Sequence, residues 1–396
     1  MPQTTLLLDL DETLLDTNLA AFIPAYFSAL SACLADVVAP EVMLPALMGG
    51  TKRMMASEDP AQTLREVFDA YFFPKLSCDR AALDGRINRF YDEVFPSLQY
   101  VTKPRPEAVE FVDWAFAAGH RVAVATNPYF PLKAVQHRMR WAGLPPEKYP
   151  FALISSYETF HFTKETGAYF MEFLGQLGWP EGPVVMVGND PDMDLIPAQR
   201  AGLPVFWMCE GKDESQPGIP QGTFVDLRHW LEETDPETLL PQVNTPDAIL
   251  IGLYATPAAL STLTASLPPE AWSRPPVPGE WCLTEILCHL RDVEAEINLP
   301  RLQKMLSEEN PFLSGTDSDA WAQERQYAQQ DGRAALKAFT ETRKGTLALL
   351  NGDPARWSRT ARHTFFGPTS VQELFGIAAG HDKAHIQQVW KTIQHG

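Results

Sequence analysis

The sequence is poor in cysteine and in basic residues for its 396 positions, and it has no long hydrophobic run. Its scattered cysteines include no CxxC pair, so no disulfide framework is implied. The 32 lysines and arginines stand against 50 aspartates and glutamates, and the net charge of −18 argues against a nucleic-acid partner. No window approaches the roughly 20 apolar residues that span a bilayer, and the N-terminus lacks the basic segment of a signal peptide. We therefore expect a cytoplasmic protein without a membrane partner.

The chain is longer than a typical single domain, so two domains are expected. Prolines and polar residues between positions 233 and 246 mark a probable boundary near residue 240. Before it, short apolar runs alternate with helical patterns; after it, long helical periods dominate. We predict one domain over 1–240 and a second over 246–396.

The first domain carries the pattern of a Rossmann-like α/β fold, a doubly wound parallel sheet with helices around it. The predicted strands are Thr5–Leu10, Arg121–Thr126, Ala152–Ser155, Pro183–Gly188 and Pro204–Met208. About a hundred residues separate the first two strands, which is too long for one crossover. Residues 18–98 look helical, and we interpret them as an inserted cap that can close over the strand ends.

Carboxylates follow the first strand at Asp9 and Asp11, where parallel sheets gather their ligands. The segment from Asp9 to Thr13 resembles the DxDxT/V motif of the haloacid dehalogenase-like hydrolases. Three further motifs of that superfamily have counterparts in the expected order. They are the strand that ends at Thr126-Asn127, the lysine Lys164, and the acidic loop Gly188-Asn189-Asp190-Pro191-Asp192-Met193-Asp194.

This resemblance implies a phosphoryl transfer in which Asp9 is the nucleophile and Asp11 the general acid and base. Thr126, Asn127 and Lys164 would bind the phosphoryl group. Mg²⁺ would be held by Asp9, the backbone carbonyl of Asp11 and the acidic loop, where the candidate residues are Asn189, Asp190 and Asp194. Superfamily members usually have Asp at the position of Asn189; we favour Asp190 as the ligand and Asp194 as the anchor of the loop.

The acid at position 11 also favours one activity within the superfamily. A dehalogenase does not need an acid two residues after its nucleophile, whereas a phosphatase does. We therefore predict a phosphatase acting on a small phosphorylated metabolite. The cap sequence does not identify that metabolite.

The second domain is predicted to be an all-α four-helix bundle, with candidate helices Pro246–Ser266, Leu283–Ser307, Ser318–Leu350 and Thr369–Gln394. His381 and His385 are four residues apart and therefore share one helix face, while His289 lies beside the apolar stripe of the second helix. Three inward histidines with an open coordination position suit Zn²⁺, Ni²⁺ or Fe²⁺. Cys288 points about 100° away from His289 and is not expected to be a ligand. His363 is interpreted as a loop residue.

These residues also resemble the DinB/YfiT-like metal-binding bundles. The segment Trp281-Cys282-Leu283-Thr284-Glu285 followed by His289-Leu290 is similar to their W(S/T)xxExxxHL signature, and His381-Asp382-Lys383-Ala384-His385 to their closing HDxxH. The resemblance implies a triad of His289, His381 and His385. It leaves open a metal-dependent transfer of small thiols, or a non-catalytic role in which the bundle is a sensor or forms a homodimer.

Overall fold

The computed structural model describes residues 3–76, 78, 80–211, 215–318 and 320–395. By its contacts the chain divides into two compact units. The first consists of Met1–Tyr169, Glu181–Gln199 and Leu203–Pro241, and the second of Phe170–Pro180, Arg200–Gly202 and Gln242–Gly396.

A five-stranded sheet of parallel neighbours forms the centre of the first unit, with the order β4-β1-β5-β6-β7. Its strands are β1 (Thr5–Leu8), β4 (Arg121–Val124), β5 (Val184–Gly188), β6 (Val205–Met208) and β7 (Gln221–Gly222), while β2 (Leu15–Thr17) and β3 (Thr102–Pro104) form a separate antiparallel pair. Every residue of β1 and β5 is buried, as expected for strands covered on both faces. The predicted fold class is confirmed.

Four of the five predicted strands are present, and the prediction of a strand at Ala152–Ser155 is wrong. Residues 152–155 form only an isolated parallel bridge between Ile154 and Val124. The backbone here still hydrogen-bonds to β4, from Ala152 to Val122 and from Ser155 to Val124. Ser155 also turns its hydroxyl onto the carbonyl oxygen of Thr126 at 2.7 Å, so the segment ends by bracing the end of β4.

The long insertion between β1 and β4 is helical, as predicted. Its helices are α1 (Leu19–Leu34), α2 (Pro40–Met55), α3 (Leu64–Leu76) and α4 (Arg80–Arg89), and a π turn and a 3₁₀ turn continue to Val101. The antiparallel pairing of β2 with β3 brings the two ends of the insertion together, with Asp16 opposite Lys103. The insertion is therefore tied to the strand end at which Asp9 and Asp11 lie.

Further helices complete the chain up to residue 241. They are α5 (Pro106–Ala117), α6 (Leu132–Trp141), α7 (Ala168–Gln176), α8 (Ile196–Arg200) and α9 (Phe224–Glu233). The buried side of α6 carries Ala134, Val135, Arg138 and Met139, at helical spacing. An arginine thus occupies a position on the apolar face of this helix.

The second unit is mainly helical. Its long helices are α10 (Pro246–Thr264), α11 (Leu283–Val293), α12 (Leu299–Ser307), α14 (Gly332–Leu350) and α15 (Val371–His395), and α13 (Trp321–Glu324) is a single short turn. A π turn at Glu294–Asn298 joins α11 to α12 without a break, so the predicted helix Leu283–Ser307 is present as one continuous helical segment.

Two predictions for this unit are wrong. The helix expected from Ser318 begins only at Gly332, because the side chain of Asp331 caps it by accepting from the amides of Arg333 and Ala334. A three-stranded sheet was also missed, formed by β8 (Phe312–Leu313), β9 (Thr360–His363) and β10 (Gly367–Ser370). Its strands are too short to show a period in the sequence.

One helix of the described residues is long and apolar enough to cross a membrane. It is α10, whose mean hydropathy over 18 residues is 1.2, and 61% of that window is buried. The expectation that no window approaches this length was therefore too strong. The burial is that of a core helix in a bundle, with Leu253 and Leu260 fully enclosed.

Candidate functional site

The chain turns sharply after β1 and leaves Asp9 at the carboxyl end of the sheet. The Asp9 amide donates to the carbonyl oxygen of Val187 at 2.9 Å, which continues the β1–β5 ladder. Glu12 then adopts a φ of 59°, in the left-handed region that non-glycine residues seldom occupy. The amide of Leu15 closes the turn onto the carbonyl oxygen of Leu10 at 2.9 Å. Asp9 and Asp11 are therefore fixed by backbone geometry.

Lys164 joins two carboxylates beneath this turn. Its Nζ lies 2.6 Å from Oδ1 of Asp9 and 2.6 Å from Oδ1 of Asp194, and its side chain is 1% exposed. Burial alone would lower the pKa of Lys164, but the charges of Asp194 and Asp9 outweigh burial and raise it. The lysine is therefore a fixed cation, and it brings the first and fourth sequence motifs together.

Asp9 is unusually easy to protonate for an aspartate. Burial, and next the charge of Asp194, raise its pKa to about 7, although Lys164 acts in the opposite direction. Only one of its oxygens has a hydrogen-bond partner among the described residues. The site thus holds more negative charge than one lysine neutralises, and one oxygen of Asp9 is left to bind or react.

Asp11 is held by two residues that the sequence did not indicate. Arg138 Nη1 donates to Oδ2 at 2.5 Å, and the hydroxyl of Thr17 donates to Oδ1 at 2.9 Å. Arg138 is 1% exposed, and its Nε and Nη2 have no hydrogen-bond partner in the part of the chain that the structure describes. The signal for Arg138 was present in the pattern of α6, where it shares a face with Ala134 and Val135.

The end of β4 supplies Thr126 and Asn127. The carbonyl oxygen of Thr126 accepts from the hydroxyls of Ser155 and Tyr169, whereas its own hydroxyl has no partner among the described residues. Asn127 accepts from the backbone amide of Lys164 at 3.3 Å. The predicted phosphoryl-binding residues are therefore neighbours, and the hydroxyl of Thr126 is unengaged.

The acidic loop after β5 packs tightly on itself. Asp194 is buried and accepts from the amide of Asp190 at 3.0 Å. Its side chain fits here because residue 188 is a glycine; a Cβ at that position would lie 2.2 Å from an Asp194 oxygen. Asp190 is exposed and caps the following turn through the amides of Asp192 and Met193. Asn189 turns its Oδ1 toward the hydroxyl of Thr13 at 3.2 Å.

The donor set at this strand end fits a hard divalent cation. Three carboxylates face one lysine and one arginine, and the raised pKa of Asp9 shows that its negative charge is poorly compensated. Carboxylate and amide oxygens are the ligands that Mg²⁺ takes. Which of Asn189 and Asp190 takes part stays a prediction.

A second cluster lies in the bundle, where His289, His381 and His385 converge. Nε2 of His381 lies 3.0 Å from Nε2 of His289 and 3.1 Å from Nε2 of His385. It is the only group of three or more His, Cys, Asp or Glu side chains with metal-ligand spacing found among the described residues. Two nitrogens on a tetrahedral Zn²⁺ at 2.0–2.1 Å are separated by about 3.3 Å, so this spacing fits.

The histidines are neutral and oriented for metal binding. Burial, and next the neighbouring imidazoles, lower the pKa of His289 to about 3 and that of His385 to about 4. Burial also lowers the pKa of His381. Nδ1 of His385 lies 2.9 Å from Oε1 of Gln388, which can only accept, so the lone pair of His385 resides on Nε2 and faces the other rings. A cation placed between the three Nε2 atoms would accept this lone pair and could be bound by all three rings.

The flanking signature residues position this cluster. Glu285 accepts from the amide of Cys282 at 2.8 Å and so caps the helix that carries His289. The ring of Trp281 is parallel within 4° to that of His385. Asp382, next to His381, accepts from the buried Arg343 at 2.6 Å, and Arg343 also reaches Glu294 at 2.9 Å. These contacts hold three helices in register around the histidines.

Two sequence interpretations for this unit have different outcomes. The thiol of Cys288 donates a hydrogen bond to Oε1 of Gln330 at 3.5 Å, and Cys288 is not part of the histidine cluster, as expected. His363 was taken for a loop residue, and this is wrong. It lies on β9, is 4% exposed and stacks on Phe366 with ring centroids 4.5 Å apart.

Comparison with known proteins supports both resemblances. A family model described as haloacid dehalogenase-like hydrolase matches residues 4–202, half of the chain. A model described as DinB superfamily matches residues 253–389.

Individual relatives are distant. The chain is 28% identical over 112 residues to a protein of Oceanobacillus iheyensis provisionally named a metal-dependent hydrolase, which covers 28% of the chain and 64% of that relative. The chain therefore spans less than two thirds of this curated relative. A 2-haloacid dehalogenase from Pseudomonas syringae is 22% identical with a TM-score of 0.42, covering 59% of this chain and 99% of the other. YfiT from Bacillus subtilis, described with an unusual four-helix bundle topology, is 20% identical with a TM-score of 0.35, covering 41% and 90%. These structural likenesses carry no argument about activity.

Proposed function

Because the chain belongs to the haloacid dehalogenase-like hydrolases, we propose that its first unit is a phosphatase that works through an aspartyl-phosphate. The observation that carries this proposal is the position of Asp9. It is buried at the end of β1 and accepts a hydrogen bond from Lys164 through one oxygen, and its other oxygen has no hydrogen-bond partner among the residues that the structure describes. A carboxylate oxygen so placed can attack phosphorus, which splits one hard displacement into two easier ones.

In the first step, an oxygen of Asp9 forms a bond to phosphorus while the bond from phosphorus to the ester oxygen breaks. The leaving alcohol takes a proton from Asp11. In the second step Asp11 takes a proton from water, and the water oxygen bonds to phosphorus while the bond from phosphorus to the Asp9 oxygen breaks, which restores the Asp9 carboxylate and frees inorganic phosphate. Arg138 and Thr17 each donate to one oxygen of Asp11, which fixes the orientation of its side chain for both proton transfers.

The phosphoryl oxygens need donors where negative charge develops. Lys164 supplies a cation at this strand end, and within the described part of the chain the Thr126 hydroxyl is a donor without a hydrogen-bond partner. Mg²⁺, held by Asp9, the Asp11 carbonyl and the loop of Asn189, Asp190 and Asp194, would neutralise the remaining charge of the phosphate. The substrate is a small phosphorylated metabolite.

The test is hydrolysis of a panel of phosphomonoesters by wild type and by Asp9→Asn. We expect Asp9→Asn to abolish the release of phosphate, since an amide cannot act as the nucleophile. Asp36→Asn is the matched control, because Asp36 forms an exposed ion pair with Arg86 away from β1. If Asp9→Asn hydrolysed every active substrate at the wild-type rate, the proposal would be refuted.

For the second unit we infer a divalent transition-metal site of Zn²⁺, Ni²⁺ or Fe²⁺ at His289, His381 and His385. It rests on the converging Nε2 atoms and on the neutral state of the three rings. A metal-dependent thiol transfer by this unit is the alternative enzymatic role. The thiol would have to be a substrate, because burial raises the pKa of the chain's own Cys288 to about 11.

A further inference from the structure

The helical insertion of the first unit encloses a cavity of about 330 Å³. Its wall contains five phenylalanines and four tyrosines, supplied by α1, by α3, by the π turn Phe90–Val94 and by the segments that follow β4 and residue 156. Ligand pockets in proteins begin at about 300 Å³ and are lined mainly by apolar and aromatic side chains with a few polar groups. This cavity therefore has the size and lining of a binding site for an aromatic molecule.

Two side chains of the wall connect this cavity to the carboxylates. The ring of Phe130 lies against the guanidinium of Arg138, 4.8 Å from its centroid, and Arg138 bonds to Asp11. The hydroxyl of Tyr129 donates to Glu165, which adjoins Lys164. A group seated against Phe130 and Tyr129 is thus one side chain away from the residues that position Asp11 and Lys164.

The basic residues of the wall are already paired with carboxylates. Arg80 forms a salt bridge with Asp69 and lies 3.4 Å from Asp84, Arg65 lies 3.6 Å from Asp69, and Lys133 lies 2.7 Å from Asp92. The remaining carboxylate of the lining, Glu158, accepts from the backbone amide of Leu132 at 3.0 Å. A second acidic group on the ligand would have to displace one of the carboxylate partners, which favours an occupant without a further negative charge.

A hydrogen-bond donor remains within the wall. The hydroxyls of Tyr26 and Tyr91 lie 2.9 Å apart, and burial raises the pKa of Tyr26 to about 12 and also raises that of Tyr91. Both phenols are therefore protonated at neutral pH. One bond between them uses one proton, so the other is available to an acceptor atom on the ligand.

We propose that the natural substrates are phosphomonoesters whose alcohol carries a planar aromatic ring system with a hydrogen-bond acceptor and without a further negative charge, and that this cavity binds the ring. The inference rests on the proposed phosphatase function for its catalytic part. Binding of the ring itself does not depend on Asp9.

Hydrolysis of 2-naphthylmethyl phosphate and of butyl phosphate provides the first test, because both leaving groups are simple alkoxides and differ mainly in the ring. We expect kcat/KM to favour the naphthylmethyl ester by at least about tenfold, since the ring buries more apolar surface than the butyl chain and makes aromatic contacts that the butyl chain cannot make. Phe68→Ala, which removes part of the wall, should lower this ratio. Phe116→Ala is the matched control, a half-buried ring that stacks on Tyr149 elsewhere in the unit, and should leave the ratio unchanged.

Calorimetric binding of 2-naphthylmethanol to Asp9→Asn separates the two proposals. If Phe68→Ala weakens this binding and Phe116→Ala does not, the result supports the cavity as the binding site for the ring. This holds even if no phosphomonoester is hydrolysed, a result that would refute only the phosphatase proposal. Hydrolysis with no preference for the naphthylmethyl ester, or equal effects of both substitutions, overturns the aromatic assignment and leaves the phosphatase standing. A preference for butyl phosphate would point to a flexible aliphatic alcohol and would also overturn it.

Discussion

Arg138 Nη1 lies 2.5 Å from Oδ2 of Asp11, and the arginine is almost fully buried on the inner face of α6. The two remaining donors on its guanidinium, Nε and Nη2, have no hydrogen-bond partner among the described residues. A buried cation with unused donors is costly unless it serves a charge nearby. We interpret Arg138 as the residue that positions Asp11 for proton transfer.

Replacing Arg138 should therefore impair turnover more than substrate binding. For Arg138→Met we expect kcat to fall about 10- to 100-fold with a small change in KM, as is typical when a general acid and base loses its orientation. Arg138→Lys keeps the charge and should recover part of kcat. Steady-state kinetics with a phosphomonoester checks this, and an unchanged kcat in both variants at wild-type thermal stability would contradict the assignment.

Asp9 should make the metal-free protein less stable as pH rises. Its folded pKa of about 7 lies above the unfolded value near 3.9, so between them the folded state binds more protons and the free energy of unfolding falls with increasing pH. Asp9→Asn removes this contribution and should stabilise the protein at pH 7 by up to roughly 4 kcal/mol, but not at pH 4.

Thermal unfolding in EDTA at several pH values measures this effect. The difference between Asp9→Asn and wild type cancels the contributions of the groups that do not interact with Asp9, including the histidines of the bundle. Asp36→Asn, at an exposed position, should show no such pH-dependent difference. A difference that is constant from pH 4 to pH 7 would contradict the raised pKa.

Removing two histidines of the triad should abolish stoichiometric transition-metal binding. The variant His381→Ala, His385→Ala leaves a single imidazole, and one ligand cannot retain the ion. His363→Ala is the control, since His363 is a buried histidine of the same unit outside the cluster. Metal content is read by mass spectrometry after dialysis, and full metal retention in the double variant would count against the site.

Arg343 should matter for the stability of the bundle. Its guanidinium is 1% exposed and bonds to the buried carboxylates of Asp382 and Glu294. Arg343→Met leaves both carboxylates without their cation, and breaking a buried pair in this way costs about 3–5 kcal/mol. Chemical denaturation should show this loss, with exposed Lys337→Met as the neutral control; equal midpoints for the two variants would disprove the role.

The parts of this protein that follow from local pattern could be read from the sequence. The apolar run before Asp9 and the strand before Asn189 predict their own burial, and the i, i+4 spacing of His381 and His385 predicts a shared face. Residues 152–155 were misjudged because an apolar run does not reveal whether a strand partner extends beyond one residue. The sheet of the second unit was missed because strands of two to four residues carry too little periodicity.

The contacts of the site depend on tertiary structure and were harder to foresee. Nothing local in the sequence places Thr17 and Arg138 on the two oxygens of Asp11, since they come from positions 6 and 127 residues away. The same holds for Lys164, which bridges Asp9 and Asp194 across three segments of the chain. The aromatic cavity is assembled from four helices and two loops, and only their packing reveals it.

The central claim is that Asp9 carries the phosphoryl group during turnover. Borohydride reduction of the enzyme while it hydrolyses 4-nitrophenyl phosphate would convert an aspartyl-phosphate to homoserine, and peptide mass spectrometry locates the change. We expect homoserine at position 9 in wild type, and none in enzyme reduced without substrate. Phosphate release with Asp9 unmodified, or homoserine at another aspartate, would contradict it.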